Sequence, residues 1–242
     1  MAGGFISRNS TVLRQAFRSS YEQLGLTITI SVIWFLAAAI PAAYMLYFIL
    51  VVMAGGKLNI LLPLILFWLT VTFLYGPVTA MAYAIAGDMI NAAEIAPSSL
   101  WRAFTRHYKA AAAVTGAMAV ILIILAVDVV VYLQNPTTLN VFLTIFLLYL
   151  MVFWFLMSAY IYPLITYKYG SVLQTLKQAA LLTLDNMALT LLVAVEVLVV
   201  GLACIFFILP VPAYLGGTVA LLHTAAFKAI LTKYEKKPQP AD

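Results

Sequence analysis

Two ionisable side chains, Glu196 and His223, stand inside long apolar stretches of the sequence. Glu196 lies within residues 187–209 and His223 within residues 213–231. A charged group at the centre of a bilayer costs about 2.5–3.5 kcal/mol on insertion scales, so such residues are candidates for function. The two stretches are joined by a short turn, and both residues stand at similar distances from it. We therefore expect Glu196 and His223 to meet at mid-membrane as a proton-responsive or ligand-binding pair. The alternative is a neutral Glu196 that bonds to a neighbouring helix for packing alone.

A second group of polar or helix-breaking residues could work with this pair. Asp128 stands five residues before the end of its stretch at Leu133, where a carboxylate can reach interfacial water. Gly76 and Pro77 interrupt another stretch, and proline frees a backbone carbonyl and can kink a helix. Two hydroxyls, Thr79 and Ser158, are further candidate partners for Glu196. Each of these residues also has a purely structural interpretation, because kinks and packing hydrogen bonds are common in membrane helices.

Enzymatic chemistry is not indicated. The chain has one cysteine and two histidines, which leaves no cysteine-based metal site or internal disulfide. Of the two histidines, His107 falls in the most charged stretch, so a haem held by both is not expected. The sequence also lacks the common nucleotide, hydrolase and metalloprotease motifs. We predict a protein that is not an enzyme and holds neither a metal nor a cofactor.

The elements that must position these residues follow from composition. Hydrophobic residues make up 65% of the chain and charged residues 9%, against about 25% charged in a soluble domain. This excludes a soluble globular or disordered protein. A spanning helix needs about 20 apolar residues. Six stretches qualify: 24–54, 58–87, 110–133, 138–166, 187–209 and 213–231. We predict a single all-α membrane domain over residues 1–236, followed by a disordered tail at 237–242.

The basic residues predict the orientation of the spans. With six spans, twelve of the thirteen Lys and Arg fall on one side, and only Lys57 falls on the other. Basic residues favour the cytoplasmic side, so both termini should be cytoplasmic, in a bacterial cytoplasmic membrane. The net charge of +5 then reports topology and attraction to anionic lipids, and nucleic acid is not an expected partner.

Each pair of spans is preceded by a short amphipathic segment, at about residues 9–22, 97–109 and 171–185. Such segments lie in the membrane interface with basic residues towards the headgroups. Their basic residues are predicted to contact lipid or a docking partner: Arg14, Arg18, Arg102, Arg106, Lys109 and Lys177. The chain therefore has the pattern of three repeats, each an interfacial helix followed by a hairpin. Unrelated hairpins with amphipathic linkers would give the same pattern.

Three segments of the chain resemble the YesL-like family of bacterial multi-pass membrane proteins. They are residues 76–83, residues 100–109, and residues 162–164 with the following 171–179. The resemblance covers roughly residues 24–235. It implies a membrane protein without an established activity that accompanies carbohydrate uptake and degradation. The passage from residue 41 to residue 63 is longer than is usual in that family.

Two functions from different classes agree with these features. The first is a non-enzymatic accessory or scaffold protein, bound to membrane lipids and to a transporter or another membrane complex such as one for carbohydrate uptake. The second is a small-solute transporter or channel built around Glu196 and His223. A water-filled cavity that reaches Glu196 would distinguish them.

Overall fold

Helices form nearly all of the chain that the structure describes. The structure, a computed structural model, describes residues 2–53, 61–93, 95–134, 137–207 and 211–235. These ranges contain no strand and nine α-helices: α1 (Ala2–Glu22), α2 (Leu24–Met53), α3 (Leu61–Thr70), α4 (Gly76–Ile90), α5 (Pro97–Gln134), α6 (Thr138–Lys168), α7 (Val172–Asp185), α8 (Met187–Phe207) and α9 (Gly216–Glu235). Predictions for residues 54, 57–60, 208–209 and 237–242 lie outside the described residues.

Six helical stretches are long and apolar enough to cross a membrane. They are Leu24–Tyr47, Leu62–Ile90, Pro97–Gln134, Thr138–Lys168, Met187–Cys204 and Pro212–Thr232. Their outer surfaces expose large apolar side chains, among them Leu36, Phe142 and Leu198. An apolar surface of this extent is unfavourable in water and favourable against lipid. The all-α class and the six apolar spans predicted from the sequence are confirmed.

The second predicted interfacial segment, residues 97–109, is not a separate helix. It forms the first turns of α5, which runs without a break for 38 residues. At 1.5 Å per residue this is about 57 Å, well beyond the roughly 30 Å of bilayer hydrocarbon. The cause is the junction at Ala110–Ala113, where four strong helix formers replace any glycine or proline. The first and third segments do end before their spans, at Gln23 and Asn186.

The core of the bundle is formed by α4, α6 and α9, which contact one another. Their buried stretches include Val78–Tyr83, Tyr160–Ile165 and Ala220–Leu222. Around these three, α1 and α2 contact α9, α5 contacts α4 and α6, α7 contacts α6, and α8 contacts both α6 and α9, whereas α3 packs on α2 and α5. In the predicted threefold pattern, the first helix of each unit (α1, α5 or α7) would thus contact the last helix of the unit before it. The internal repeat itself stays a prediction.

A π-helical turn at Val71–Tyr75 leads into α4, directly before Gly76 and Pro77. Pro77 has no N–H, so the carbonyl of Phe73, four residues earlier, loses its helical donor. The hydroxyl of Tyr108 on α5 donates to that carbonyl oxygen at 3.3 Å. Gly76 allows α5 to approach, because a Cβ at this position would lie 2.5 Å from Oγ1 of Thr115. At the break predicted at Gly76 and Pro77, the carbonyl oxygen of Phe73 therefore accepts a hydrogen bond from α5. The backbone at Gly76 also packs closely against α5.

Candidate functional site

An open cavity of about 470 Å³, here called the first cavity, enters the bundle where α4, α6 and α9 end and α5 begins. Three basic side chains line it: Arg102, Arg106 and Lys228. The partly buried ring of His107 and the carboxylate of Asp88 line it as well. Because Arg and Lys keep their charge at neutral pH, the first cavity carries an excess of positive charge. We call this end of the molecule the basic end.

The three cations differ in how they are held. Lys228 Nζ donates to the carbonyl oxygen of Gly87 at 3.0 Å and to Oδ1 of Asn91 at 2.8 Å. Since an ammonium group has three donors, one remains for a ligand. Arg102 donates to two serine hydroxyls on the preceding turn of α5, at 3.2 Å each. Within the described part of the chain, Arg106 makes no hydrogen bond or ion pair, so all its donors are available.

The wall formed by α9 contributes a hydroxyl group that is almost fully buried. Thr224, one turn before Lys228, lines the first cavity and is 5% exposed. Its Oγ1 has no hydrogen-bond partner among the described residues. A buried polar group without a partner costs about 1–3 kcal/mol. A ligand hydroxyl or an oxyanion in the first cavity would satisfy it.

The inner end of the first cavity is closed by aromatic rings. The hydroxyl oxygen of Tyr83 on α4 lies 2.5 Å from Nδ1 of His223 on α9. The rings of Tyr83 and Tyr162 on α6 lie against each other, with centroids 5.3 Å apart. Tyr162 in turn shares a hydrogen bond of 3.2 Å with Thr115 on α5. These rings connect all three core helices with α5, and we call the pair Tyr83 and Tyr162 the aromatic partition.

A second cavity, of about 170 Å³, begins on the far side of the aromatic partition. It is lined by the α3 end and π turn, by α5 and by α6, with Tyr75, Thr115, Ser158 and Tyr162 as its polar side chains. On both α5 and α6 its lining residues lie further from the basic end than those of the first cavity, and Tyr75 of the π turn precedes the α4 residues that line the first cavity. Along α5 the step from His107 to Thr115 is about 12 Å. Two cavities therefore follow one another along the same helices, with the rings of Tyr83 and Tyr162 between them.

The structure brings His223 on α9 to Tyr83 on α4. Glu196 is partly buried on α8. The pair was predicted because α8 and α9 are consecutive. However, α9 packs mainly on α1, α2 and α4, which turns His223 towards the core. His223 thus meets Tyr83, and the meeting of Glu196 with His223 stays a prediction from the sequence.

The other polar candidates divide between the two cavities and packing. Thr79 donates to the Tyr75 carbonyl at 2.7 Å and accepts from Trp34 Nε1 at 3.1 Å, so it joins α2 to α4. Ser158 lines the second cavity and donates to a backbone carbonyl on its own helix. Asp128 is partly buried on α5 and lines neither cavity. Ser158 is thus the intramembrane candidate that lines one of the two cavities described here, whereas Thr79 joins two helices.

The predicted basic contact residues also fall into two groups. Arg102 and Arg106 line the first cavity, whereas Lys109 on the same helix is exposed outside it. Arg14 and Lys177 are exposed on α1 and α7, and Arg18 forms an ion pair with Glu22 at 2.7 Å. Arg102 and Arg106 therefore belong to a cavity and not to a flat surface.

Sequence reasoning missed four residues of the site: Tyr83, Tyr162, Thr224 and Lys228. A signal was present for one pair. Tyr83 and His223 each stand seven residues after a glycine that follows a π turn, Gly76 and Gly216. No group of three His, Cys, Asp or Glu side chains arranged as metal ligands occurs in the ranges that the structure describes.

The fold and this site define a class of protein: a multi-pass membrane protein with a helical core and a basic cavity at one end. Comparisons of the chain with protein-family models, curated proteins and solved structures give no match. Membership of the YesL-like family therefore stays a prediction from the segments that resemble it.

Proposed function

We propose that this chain is a small-solute transporter of the bacterial cytoplasmic membrane, with both termini in the cytoplasm. The observation that carries the proposal is the pair of cavities separated by the aromatic partition. A solute enters the first cavity from the basic end, which the distribution of basic residues predicts to be cytoplasmic. The rings of Tyr83 and Tyr162 close its way to the second cavity.

This arrangement favours a carrier over an open channel. A channel needs a continuous water-filled path, whereas here hydrogen-bonded rings separate the cavities. Carriers hold the solute near the middle of the membrane and open to one side at a time. The partition involves helices α4, α6 and α9, so a shift of any one of them relative to the others would part the rings. The moving contact in this proposal is the one between Tyr83, Tyr162 and His223.

The openness of the first cavity to water can be tested with single cysteines. The native Cys204 is buried on α8, and Cys204→Ala provides a background without thiols. Ala84→Cys places a thiol in the wall of the first cavity, and Val199→Cys places one on the lipid-facing side of α8. Lys109→Cys, exposed at the basic end, reports which side the reagent has reached.

A membrane-impermeant, charged thiol reagent should modify Ala84→Cys in sealed vesicles from the same side as Lys109→Cys. It should leave Val199→Cys unmodified from both sides, because a charged reagent does not enter lipid. Equal protection of Ala84→Cys and Val199→Cys would mean that the first cavity is not open to water. A solute could then not enter there, which would contradict the transporter proposal.

A second candidate function is the accessory subunit predicted from the sequence. The observation that favours it is Trp101, which is 69% exposed on the first turns of α5 and stacks on Phe104 with ring centroids 5.6 Å apart. Exposed tryptophan is enriched at protein interfaces. If α5 binds a partner there, a stoichiometric membrane protein should co-purify with the wild type and be lost with Trp101→Ala. The lipid-facing control Tyr149→Ala should retain it.

A further inference from the structure

The volume and the polar groups of the first cavity indicate which kind of ligand it binds. It lies at the basic end, and its volume of about 470 Å³ is within the range of small-ligand sites, about 300–1,000 Å³. Its polar groups come from separate helices: Arg102 and Arg106 from α5, and Thr224 and Lys228 from α9. Groups that converge from different helices onto one space are typical of a site that surrounds a ligand.

We propose that the first cavity binds a terminal phosphate group, held by Arg106, Arg102 and Lys228, with the Thr224 hydroxyl bonded to the same ligand. This inference rests on the proposed function, because it takes the first cavity to be the solute site. The phosphate group is carried either by a small water-soluble phosphate monoester or by the headgroup of a membrane lipid such as phosphatidic acid. Both ligands present the same three terminal oxygens to the cavity.

The charge of the first cavity matches a phosphate monoester better than a carboxylate. By residue type, three basic side chains against the one carboxyl group of Asp88 give the lining a formal excess of two positive charges. A phosphate monoester carries about −1.5 to −2 at neutral pH, whereas a carboxylate carries only one negative charge. Guanidinium groups also present paired N–H donors that fit phosphate oxygens.

The donors that such a ligand needs are free in the structure. In the ranges described, Arg106 has no hydrogen-bond partner, and Lys228 Nζ is oriented by Gly87 and Asn91 with one donor remaining. Thr224, 5% exposed, is the independent observation: its hydroxyl is buried in the cavity wall without a partner among the described residues. A ligand that fills the cavity completes the hydrogen bonding of all three side chains.

Calorimetric titration of the full chain, in nanodiscs of phosphatidylcholine alone, tests the site. Glycerol 3-phosphate and inorganic phosphate should bind, and neutral glycerol should not. Arg106→Gln and Lys228→Gln should each weaken glycerol 3-phosphate binding by about tenfold or more, since each removes a charge-assisted hydrogen bond. The matched control Lys109→Gln removes a charge from the same helix outside the cavity, so it should change the affinity by less than about twofold. If Lys228→Gln fails to fold, Arg106→Gln still decides, because Arg106 has no hydrogen bond within the described chain to lose.

Two further experiments test whether the Thr224 hydroxyl contacts the ligand and whether the phosphate group belongs to a lipid or to a soluble molecule. Thr224→Val should weaken glycerol 3-phosphate binding and leave the fold intact, because the two side chains have nearly the same shape. In nanodiscs that contain phosphatidic acid, a lipid ligand would raise the unfolding temperature without added solute and block glycerol 3-phosphate. A soluble ligand would leave glycerol 3-phosphate binding unchanged there.

The proposal is overturned if neither glycerol 3-phosphate nor phosphatidic acid binds, or if Lys109→Gln weakens binding as much as Arg106→Gln. Its failure is distinguishable from that of the transporter. Phosphate binding without a path between the two cavities would keep this site and remove transport. A path between the two cavities without phosphate binding would keep transport and remove this site.

Discussion

Gly76 is the position at which a single methyl group should disturb the packing of α4 against α5. A Cβ built on Gly76 would lie 2.5 Å from Oγ1, 2.8 Å from Cβ and 3.0 Å from Cγ2 of Thr115. The Cβ atom of Thr115 is fixed to its backbone, so a change of rotamer cannot relieve the clash. Gly76→Ala therefore requires the two helices to separate.

The magnitude follows from two opposing effects. Overpacking of a well-packed core costs about 1–3 kcal/mol. Replacing glycine by alanine inside a helix returns about 1 kcal/mol of helix propensity. We expect Gly76→Ala to lower the free energy of unfolding by up to about 2 kcal/mol, and by about 1–3 kcal/mol relative to a Gly→Ala change that gains helix propensity without a clash. Gly201→Ala on α8 is the matched control, because a Cβ there would meet no atom within 4 Å and only the gain in propensity remains.

Equilibrium unfolding with sodium dodecyl sulfate in mixed micelles, followed by tryptophan fluorescence, gives both free energies. A double variant, Gly76→Ala with Thr115→Gly, removes all three contacting atoms of Thr115. It should be less destabilised than the sum of the two single variants, as expected for residues in direct contact. A Gly76→Ala chain as stable as Gly201→Ala, or strict additivity in the double variant, would refute the close approach of α4 and α5.

Three further outcomes are expected. Tyr83→Phe removes the hydroxyl that contacts His223 and should lower the free energy of unfolding by about 1–2 kcal/mol, whereas the lipid-facing Tyr149→Phe should change it by less than about 0.5 kcal/mol in the same assay. Glu196→Gln should leave the thiol modification of Ala84→Cys unchanged, because Glu196 does not line the first cavity; a changed rate would return Glu196 to the solute path. Reporters active only outside the cell should give no signal when fused to either terminus, and a signal at the carboxyl terminus would contradict the predicted topology.

The sequence was sufficient to predict the helices of this fold, but not which helices pack against one another. Six apolar spans follow from composition, because the cost of exposing such stretches to water leaves few alternatives. The breaks at Gln23 and Asn186 also occur where a segment was predicted to end. The continuous α5 was not predicted, because the basic residues Arg106 and Lys109 indicated a separate helix in the membrane interface. The alanine run at Ala110–Ala113 nevertheless favours a helix that continues into the span.

The site could be predicted only in part, since its residues meet through packing between distant segments. The sequence suggested Glu196 as the partner of His223 because their spans are consecutive. In the structure α9 packs on α4 and α1, and His223 reaches Tyr83, 140 residues away in the chain. The cations Arg102 and Arg106 were identified from their charge and spacing. That they face Lys228 across a cavity depends on the position of α9, which periodicity does not contain.

The most direct test of the solute path is the thiol modification of Ser158→Cys, a position in the wall of the second cavity. The impermeant reagent is applied from the side that modifies Lys109→Cys, in the Cys204→Ala background, with and without Tyr83→Ala. With Tyr83 present, we expect slow modification of Ser158→Cys, because the aromatic partition separates it from the first cavity. With Tyr83→Ala, the rate should rise many-fold while that of Lys109→Cys stays the same. A rate at Ser158→Cys that does not depend on the Tyr83 ring would contradict a path between the two cavities.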